Sequence, residues 1–323
     1  MGYLRLSADL HNHSCLSPCG DLSMSPGLLA ARARERKIDI LALTDHNASL
    51  NCPPFALACA RKGIIPLFGM ELCSAEEVHL LALFPDPRSA LLFGADIHRL
   101  LPDLAWDPEA FGDQAVVDEV EGLLELHPTY LGAALDASFE ELAYKAAGSG
   151  ALVIPAHVDR AMFSVQSQLG FLPPGPYDAI ESVFAPEPCV SGGHSPISGS
   201  DAHYPEHIGR RPFGVDLPGE VVENLAEALK IFTKLNTRKT VDTFFAPDDS
   251  PDEDSLTDAS RDEDVFGGYD ELLTQPVVNS YPEDAAKLFF EELRLALREG
   301  RVQPSFARRS EERRVGKECR SRW

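Results

Sequence analysis

The sequence predicts an α/β protein built as a barrel of parallel β/α units. Short apolar runs alternate with helix-forming stretches, as in parallel β/α folds rather than antiparallel sandwiches. About seven runs read as strands, one short of the standard eight-fold barrel. Most of them end in, or carry, a histidine or an acid, where barrels of this class gather their reacting groups.

The first strand is led by Leu4 and Leu6 into Ala8-Asp9-Leu10-His11-Asn12-His13-Ser14. Successive strand side chains point to opposite faces, so Asp9, His11 and His13 share one face. Two imidazoles about one strand repeat apart can hold one metal ion. A turn-rich loop follows, over residues 14–25, with Pro18, Gly20 and Asp21. Pro26, at a favoured first-turn position, opens a helix over 27–37. Residues 38–43 form an apolar strand ending in Thr44-Asp45-His46-Asn47, and a second helix covers about 54–62. The strand at 64–70 ends at Glu71, and the strand at 78–84 has His79 near its start.

Between residues 84 and 150 the pattern becomes irregular. Residues 96–136, with a short strand or hairpin around 115–126, read as an insertion on the barrel: a structural excursion, or a wall of the substrate entrance. The strand at 151–156 then ends in His157. A sixth strand is expected at 179–183, and a seventh at 196–200 runs into Asp201-Ala202-His203.

The barrel domain is thus expected over residues 1–247. Residues 248–268 form an acidic linker, with nine acids and one arginine between 248 and 264. Residues 269–308 are helical, with Ala285, Leu288, Phe289, Leu293 and Leu297 at helical spacing. That helix either packs back on the barrel or begins a further domain. Residues 309–323 read as the translation of a sequencing adapter, and are set aside together with Cys319. The natural C-terminus is then expected to be missing.

Composition narrows the function. The net charge of −22 becomes about −25 without that basic tail, which argues against wrapping long duplex nucleic acid. No apolar run is long enough to suggest a membrane span, and Arg5 interrupts any signal-like start. Seven cysteines, an odd number without a disulfide-like framework, favour a reduced, cytoplasmic setting.

The chemistry-bearing residues are His11, His13, Asp21, His46, Glu71, His79, His157, Asp201 and His203. Imidazoles with carboxylates suit Zn, Mn or Fe, and no CxxC pattern points to a structural thiolate zinc site. Nine candidates exceed the needs of one ion, so two or three ions are expected, with Glu71 as a bridge. Arg160, three residues after His157, offers a planar fork for a phosphate; a surface salt bridge is the alternative. His194, His207 and Arg210 are weaker candidates, and His98 and His127 read as surface histidines of the insertion.

These fragments together resemble the PHP (polymerase and histidinol phosphatase) metal-dependent phosphoesterases. Asp9-Leu10-His11-Asn12-His13-Ser14 resembles the family's first motif and Thr44-Asp45-His46 its second. Glu71 and His79 correspond to the acid and histidine that follow, His157 to the third motif, and Gly199-Ser200-Asp201-Ala202-His203 to the fourth. The resemblance covers residues 3–245 and implies a distorted (β/α)7 TIM-like barrel with a trinuclear metal centre. It implies a first ion on His11, His13, Glu71 and Asp201, a second on Glu71, His79 and His157, and a third on His46 and His203. Asp21, or Cys19 as a thiolate, would complete the third.

The expected function is a metal-dependent phosphoesterase that uses two or three divalent ions. Asp201, His203 and Arg160 act at the reacting phosphate. The substrate is a small phosphomonoester, a nucleotide or the end of a short oligonucleotide, without long duplex nucleic acid or membrane partners. The competing reading is a catalytically silent metal-binding module with a structural or regulatory role.

Overall fold

A computed structural model describes residues 2–104, 106–184, 191–244 and 267–306. Strand β1 (Tyr3–Asp9) is exposed at its start and buried at its end, where the first motif begins. Helix α1 (Pro26–Glu35) starts where the Ser25 side chain accepts a hydrogen bond from Leu28 N, with proline in the first turn. Strand β2 (Ile40–His46) is buried throughout. Helix α2 (Cys52–Lys62) begins two residues before its expected start and stops at Gly63, whose φ of 67° needs no Cβ.

Strands β3 (Ile65–Cys73) and β4 (His79–Phe84) are both fully buried. Only five residues join them, too few for the crossover a parallel pair needs, so they pair antiparallel with Cys73 opposite His79. At Gly69 the two strands come so close that a Cβ would lie 1.9 Å from the Ala82 carbonyl oxygen.

Helix α3 (Pro87–His98) leads into the insertion. There the short helix α4 (Pro108–Phe111) precedes a hairpin of β5 (Ala115–Val117) and β6 (Leu123–Leu126). The insertion docks on the first-motif loop: Ala115 N donates to Cys15 O, and Val117 N to Asn51 Oδ1. Helix α5 (Phe139–Gly148) starts with a Ser138–Glu141 capping box and returns the chain to β7 (Leu152–Pro155). Past the short helix α6 (Val165–Gln168), strand β8 (Ile180–Glu181) pairs in parallel with β9 (Pro196–Ile197).

The architecture is α/β, as the sequence predicts, but the sheet is mixed rather than parallel. The main sheet contains, in order, β1, β2, β3, β4 and β7; only β1–β2 and β2–β3 are parallel, and β7 is antiparallel to β4. Backbone bonds carry the circuit further. Asp178 N donates to Val153 O and Val158 N to Glu181 O, which joins β7 to β8. His13 N donates to Ala202 O, joining the chain after β9 to the end of β1. The expected strands thus form a ring with their motif residues at one rim. Because β4 runs against its neighbour, His79 at its start reaches the same rim as the ends of β2 and β3.

Two strands were not legible in the sequence. Strand β10 (Phe213–Pro218) pairs antiparallel with β1 and leads into α7 (Gly219–Phe244). After α8 (Gly267–Thr274), α9 (Pro276–Asn279) and α10 (Glu283–Arg298), strand β11 (Val302–Gln303) pairs with β10. Helix α10 packs on α7 and β10 and buries Phe289, Phe290, Leu293 and Leu297. Phe290 takes the core position expected for Leu288, which is 52% exposed. Arg298 Nε ties the helix to Asp178 Oδ1 at 2.7 Å. The acidic linker, apart from its last two residues, and all of residues 309–323 lie outside the described residues.

Candidate metal centre

Glu71 sits at the middle of the rim, 1% exposed, in strand β3. Its Oε1 lies 3.2 Å from His11 Nε2, 2.7 Å from His79 Nδ1 and 3.0 Å from His157 Nε2. Its Oε2 lies 3.2 Å from His13 Nε2 and 3.4 Å from His46 Nδ1. Asp201 faces it from the chain after β9, with Oδ1 3.5 Å from the Nε2 atoms of both His11 and His13 and 3.4 Å from His203 Nδ1. Asn47, His157 and Asp201 take left-handed backbone angles, φ 50°, 31° and 46°, a strain that concentrates at functional sites.

Eight of the nine expected ligands converge here. Three groups could each hold an ion: His11, His13, Glu71 and Asp201; His46, Glu71 and His79; and His13, His46 and His203. His157 belongs to none of these, although its Nε2 touches Glu71. Asp21 is in none of the three groups. Its Oδ1 accepts from the N–H and hydroxyl of Ser23, while its backbone N–H donates to His203 O. The turn that places Asp21 beside His203 in the chain trace thus uses its carboxylate as a local cap.

The donor set fits divalent ions. Among the described residues, His11 Nε2 and His13 Nε2 are buried without a hydrogen-bond partner, although carboxylates face both. A hydrogen-bond chain fixes the tautomer of His13. Ser17 Oγ donates its one proton to Asp45 Oδ1 at 2.7 Å, so toward His13 Nδ1, 3.0 Å away, it accepts. The proton therefore sits on Nδ1, and Nε2 is left free for a cation.

Charge is distributed to match. Burial by itself raises the pKa of Glu71, but His79, His11 and His46 outweigh it and hold the carboxyl well below its usual range. Burial opposes ionisation of Asp201 too, and Arg160, His11 and His203 overcome it. Burial, reinforced by Arg160, lowers His157 to about 4; burial, reinforced by His13, lowers His203 to about 3. His79 goes the other way, to about 10, because Glu71 outweighs its burial.

Arg160 Nη1 lies 2.5 Å from Asp201 Oδ2, at the centre rather than in a surface pair. Arg210 donates through Nε and Nη2 to Ser200 O and Asp201 O, and so braces the same segment. His98 and His127, expected on the surface, are 6% and 5% exposed and meet ring to ring at 5.3 Å inside the insertion. Sequence reasoning assigned no role to Asp9 and Asp45, although it quoted both within motifs, and missed Glu181. Asp9 accepts from Ser200 N and Gly209 N and so holds the fourth motif, and Glu181 Oε2 lies 2.8 Å from His11 Nδ1. For Glu181 the available signal was an acid closing an apolar strand, as Glu71 does.

A buried ring of imidazoles around shared carboxylates, at the rim of a mixed α/β barrel, defines a protein of the metal-centre class. Residues 9–152 match the family model of the PHP domain. Among solved structures it is similar to a lesion-specific endonuclease Q from Pyrococcus furiosus, with 19% identity and a TM-score of 0.46 over 70% of this chain. The chain spans little more than half of that protein, 56% of its length. It is also similar to a metal-dependent phosphoesterase from Bifidobacterium adolescentis (18% identity, TM-score 0.42, covering 61% of this chain and 87% of that one). An amidohydrolase from Chromobacterium violaceum with bound sulfate gives 22% identity and a TM-score of 0.39, over 66% and 92% of the two chains. No curated protein matches.

Proposed function

We propose that this protein is a metal-dependent phosphoesterase acting on a small phosphomonoester, a nucleotide or the end of a short oligonucleotide. The observation that carries this reading is the convergence of six histidines on two carboxylates, Glu71 and Asp201, in a chain whose residues 9–152 match the PHP domain.

His11, His13, Glu71 and Asp201 would hold one ion. His46, Glu71 and His79, with His157 against Glu71, would hold a second, and His13, His46 and His203 a third. Mn, Fe and Zn all suit these ligands. A divalent ion held there supplies Lewis acidity toward a phosphoryl oxygen and lowers the pKa of water toward neutrality. The chain's own part is to stay charged and preorganised. Glu71 and Asp201 remain ionised under burial, and Arg160 presents donors beside Asp201 where phosphoryl charge gathers. The low pKa values of His157 and His203 keep both imidazoles neutral at physiological pH.

The net charge of −22 favours small or short substrates over long polymers. No helix among the described residues is long and apolar enough to cross a membrane. A reduced, cytoplasmic setting is part of the same proposal.

The test is phosphate release by the full chain, stripped of metal and reloaded with Mn, Fe or Zn. The panel holds nucleoside mono- and bisphosphates, short oligonucleotides, sugar phosphates and histidinol phosphate. Turnover that disappears in His13→Ala and Asp201→Ala supports the phosphoesterase. Bound ions without turnover on any of these substrates would leave a metal-binding module instead.

A further inference from the structure

Glu181 is 1% exposed, lies at the end of β8 and belongs to none of the three ligand groups. A buried carboxylate without a cationic partner is costly, so its contacts should explain it. Its Oε2 lies 2.8 Å from His11 Nδ1. A carboxylate oxygen accepts, so in this contact the imidazole Nδ1–H of His11 is the donor. The other ring nitrogen of His11, Nε2, faces Glu71 and Asp201 at 3.2 and 3.5 Å.

The backbone is shaped around this contact. Gly199 passes so close that a Cβ there would lie 2.6 Å from Glu181 Oε2 and 2.9 Å from His11 Cβ. Strand β8 is itself pinned on both sides, by Val158 N donating to Glu181 O and by Ser182 N donating to Ile197 O. Among the described residues, the second oxygen, Oε1, has no hydrogen-bond partner, and neither does Nδ1 of the neighbouring ligand candidate His157.

We propose that Glu181 is a positioning residue of the metal centre: by accepting the Nδ1 proton of His11 it locks the imidazole in the tautomer and orientation that leave Nε2 free to coordinate. It does for His11 what the Ser17–Asp45 chain does for His13. The inference rests on the metal-centre reading. Partners of this kind set ligand basicity and aim, and their loss weakens metal binding by about 10–100-fold.

The experiment is a competition titration of the metal-free full chain with Zn or Mn against a chromogenic chelator. It compares wild type, Glu181→Gln, Glu181→Leu, His11→Ala and the double variant His11→Ala/Glu181→Gln. The leucine variant is expected to bind the tightest ion about 10–100-fold more weakly, and the glutamine variant, which keeps an acceptor but not the charge, by about tenfold or less. In the His11→Ala background Glu181→Gln should have no further effect, because the residue acts through that imidazole. Wild-type affinity in the glutamine and leucine variants would overturn the proposal, as would losses that multiply in the double variant. If Glu181→Leu fails to fold by circular dichroism, the near-isosteric glutamine variant and its cycle with His11→Ala decide. A wild-type chain that binds neither ion would overturn the metal-centre reading, and this inference with it.

Discussion

Asp45 accepts two hydrogen bonds from Ser14, one from its backbone N–H and one from its hydroxyl, each 2.6 Å long. The acid of the second motif thus holds the loop of the first. Asp9 of the first motif does the same for the fourth, through Ser200 N. Neither acid is among the grouped ligands, yet each aligns a segment that carries one.

Asp45→Ala should therefore loosen His13 as well as the loop. It leaves the Ser14 and Ser17 donors buried without their acceptor, a loss of about 1–3 kcal/mol. Metal affinity should fall by about tenfold or more. Chemical denaturation of the metal-free chain gives the first quantity and chelator competition the second. An unchanged affinity would separate Asp45 from the centre.

The metal-free protein should lose stability on acidification. His157 and His203 have folded pKa values of about 4 and 3, below the ordinary value of 6.5. As pH falls below about 6.5 the unfolded chain takes up protons that the folded chain refuses, and the balance shifts toward unfolding until the folded pKa values are reached. His79, raised to about 10, has the opposite sign: its contribution is complete below 6.5 and disappears as pH rises through 10. Melting temperatures of the metal-free chain between pH 4 and 10 should show both flanks, and His157→Gln should flatten the acid one.

Bound ions should raise the melting temperature. An ion at one hundred times its dissociation constant, binding only the folded state, contributes about 2.7 kcal/mol. Thermal scans with and without chelator measure the difference. His46→Ala should reduce the number of bound ions, since His46 belongs to two of the three groups.

Residues 267–306 should prove inseparable from the barrel. Strand β11 extends the main sheet, Ser305 N donates to Ser198 Oγ just ahead of Asp201, and α10 buries two phenylalanines at its centre. Phe289→Ala should cost about 3–5 kcal/mol. A chain ended at residue 247 should be insoluble or poorly folded by circular dichroism. A stable, metal-binding fragment 1–247 would contradict this.

Gly69→Ala should be among the most damaging single changes, because its Cβ would meet backbone rather than a side chain that can turn away. Overpacking of this kind costs about 3 kcal/mol or more. The melting temperature of the metal-free variant is the readout.

The candidate ligands were legible because they sit in or beside short apolar runs, and that pattern is local. The strand directions were only partly so. Antiparallel β4 follows from a five-residue connection, whereas β10 and β11 are short or alternate buried with half-exposed residues, and their partners are distant in the chain. Composition names carboxylates without saying which partners they take, and Asp21 Oδ1 accepts from Ser23.

The sequence by itself determined the α/β class, the order of the motifs and the imidazole–carboxylate chemistry, all written within stretches of a few residues. Tertiary structure alone decided which candidate ligands come within reach of one another, which acids serve as braces and that Glu181 meets His11 across 170 residues of chain. Those relations arise only when the ring of strands closes, and no local pattern encodes a distance set by closure.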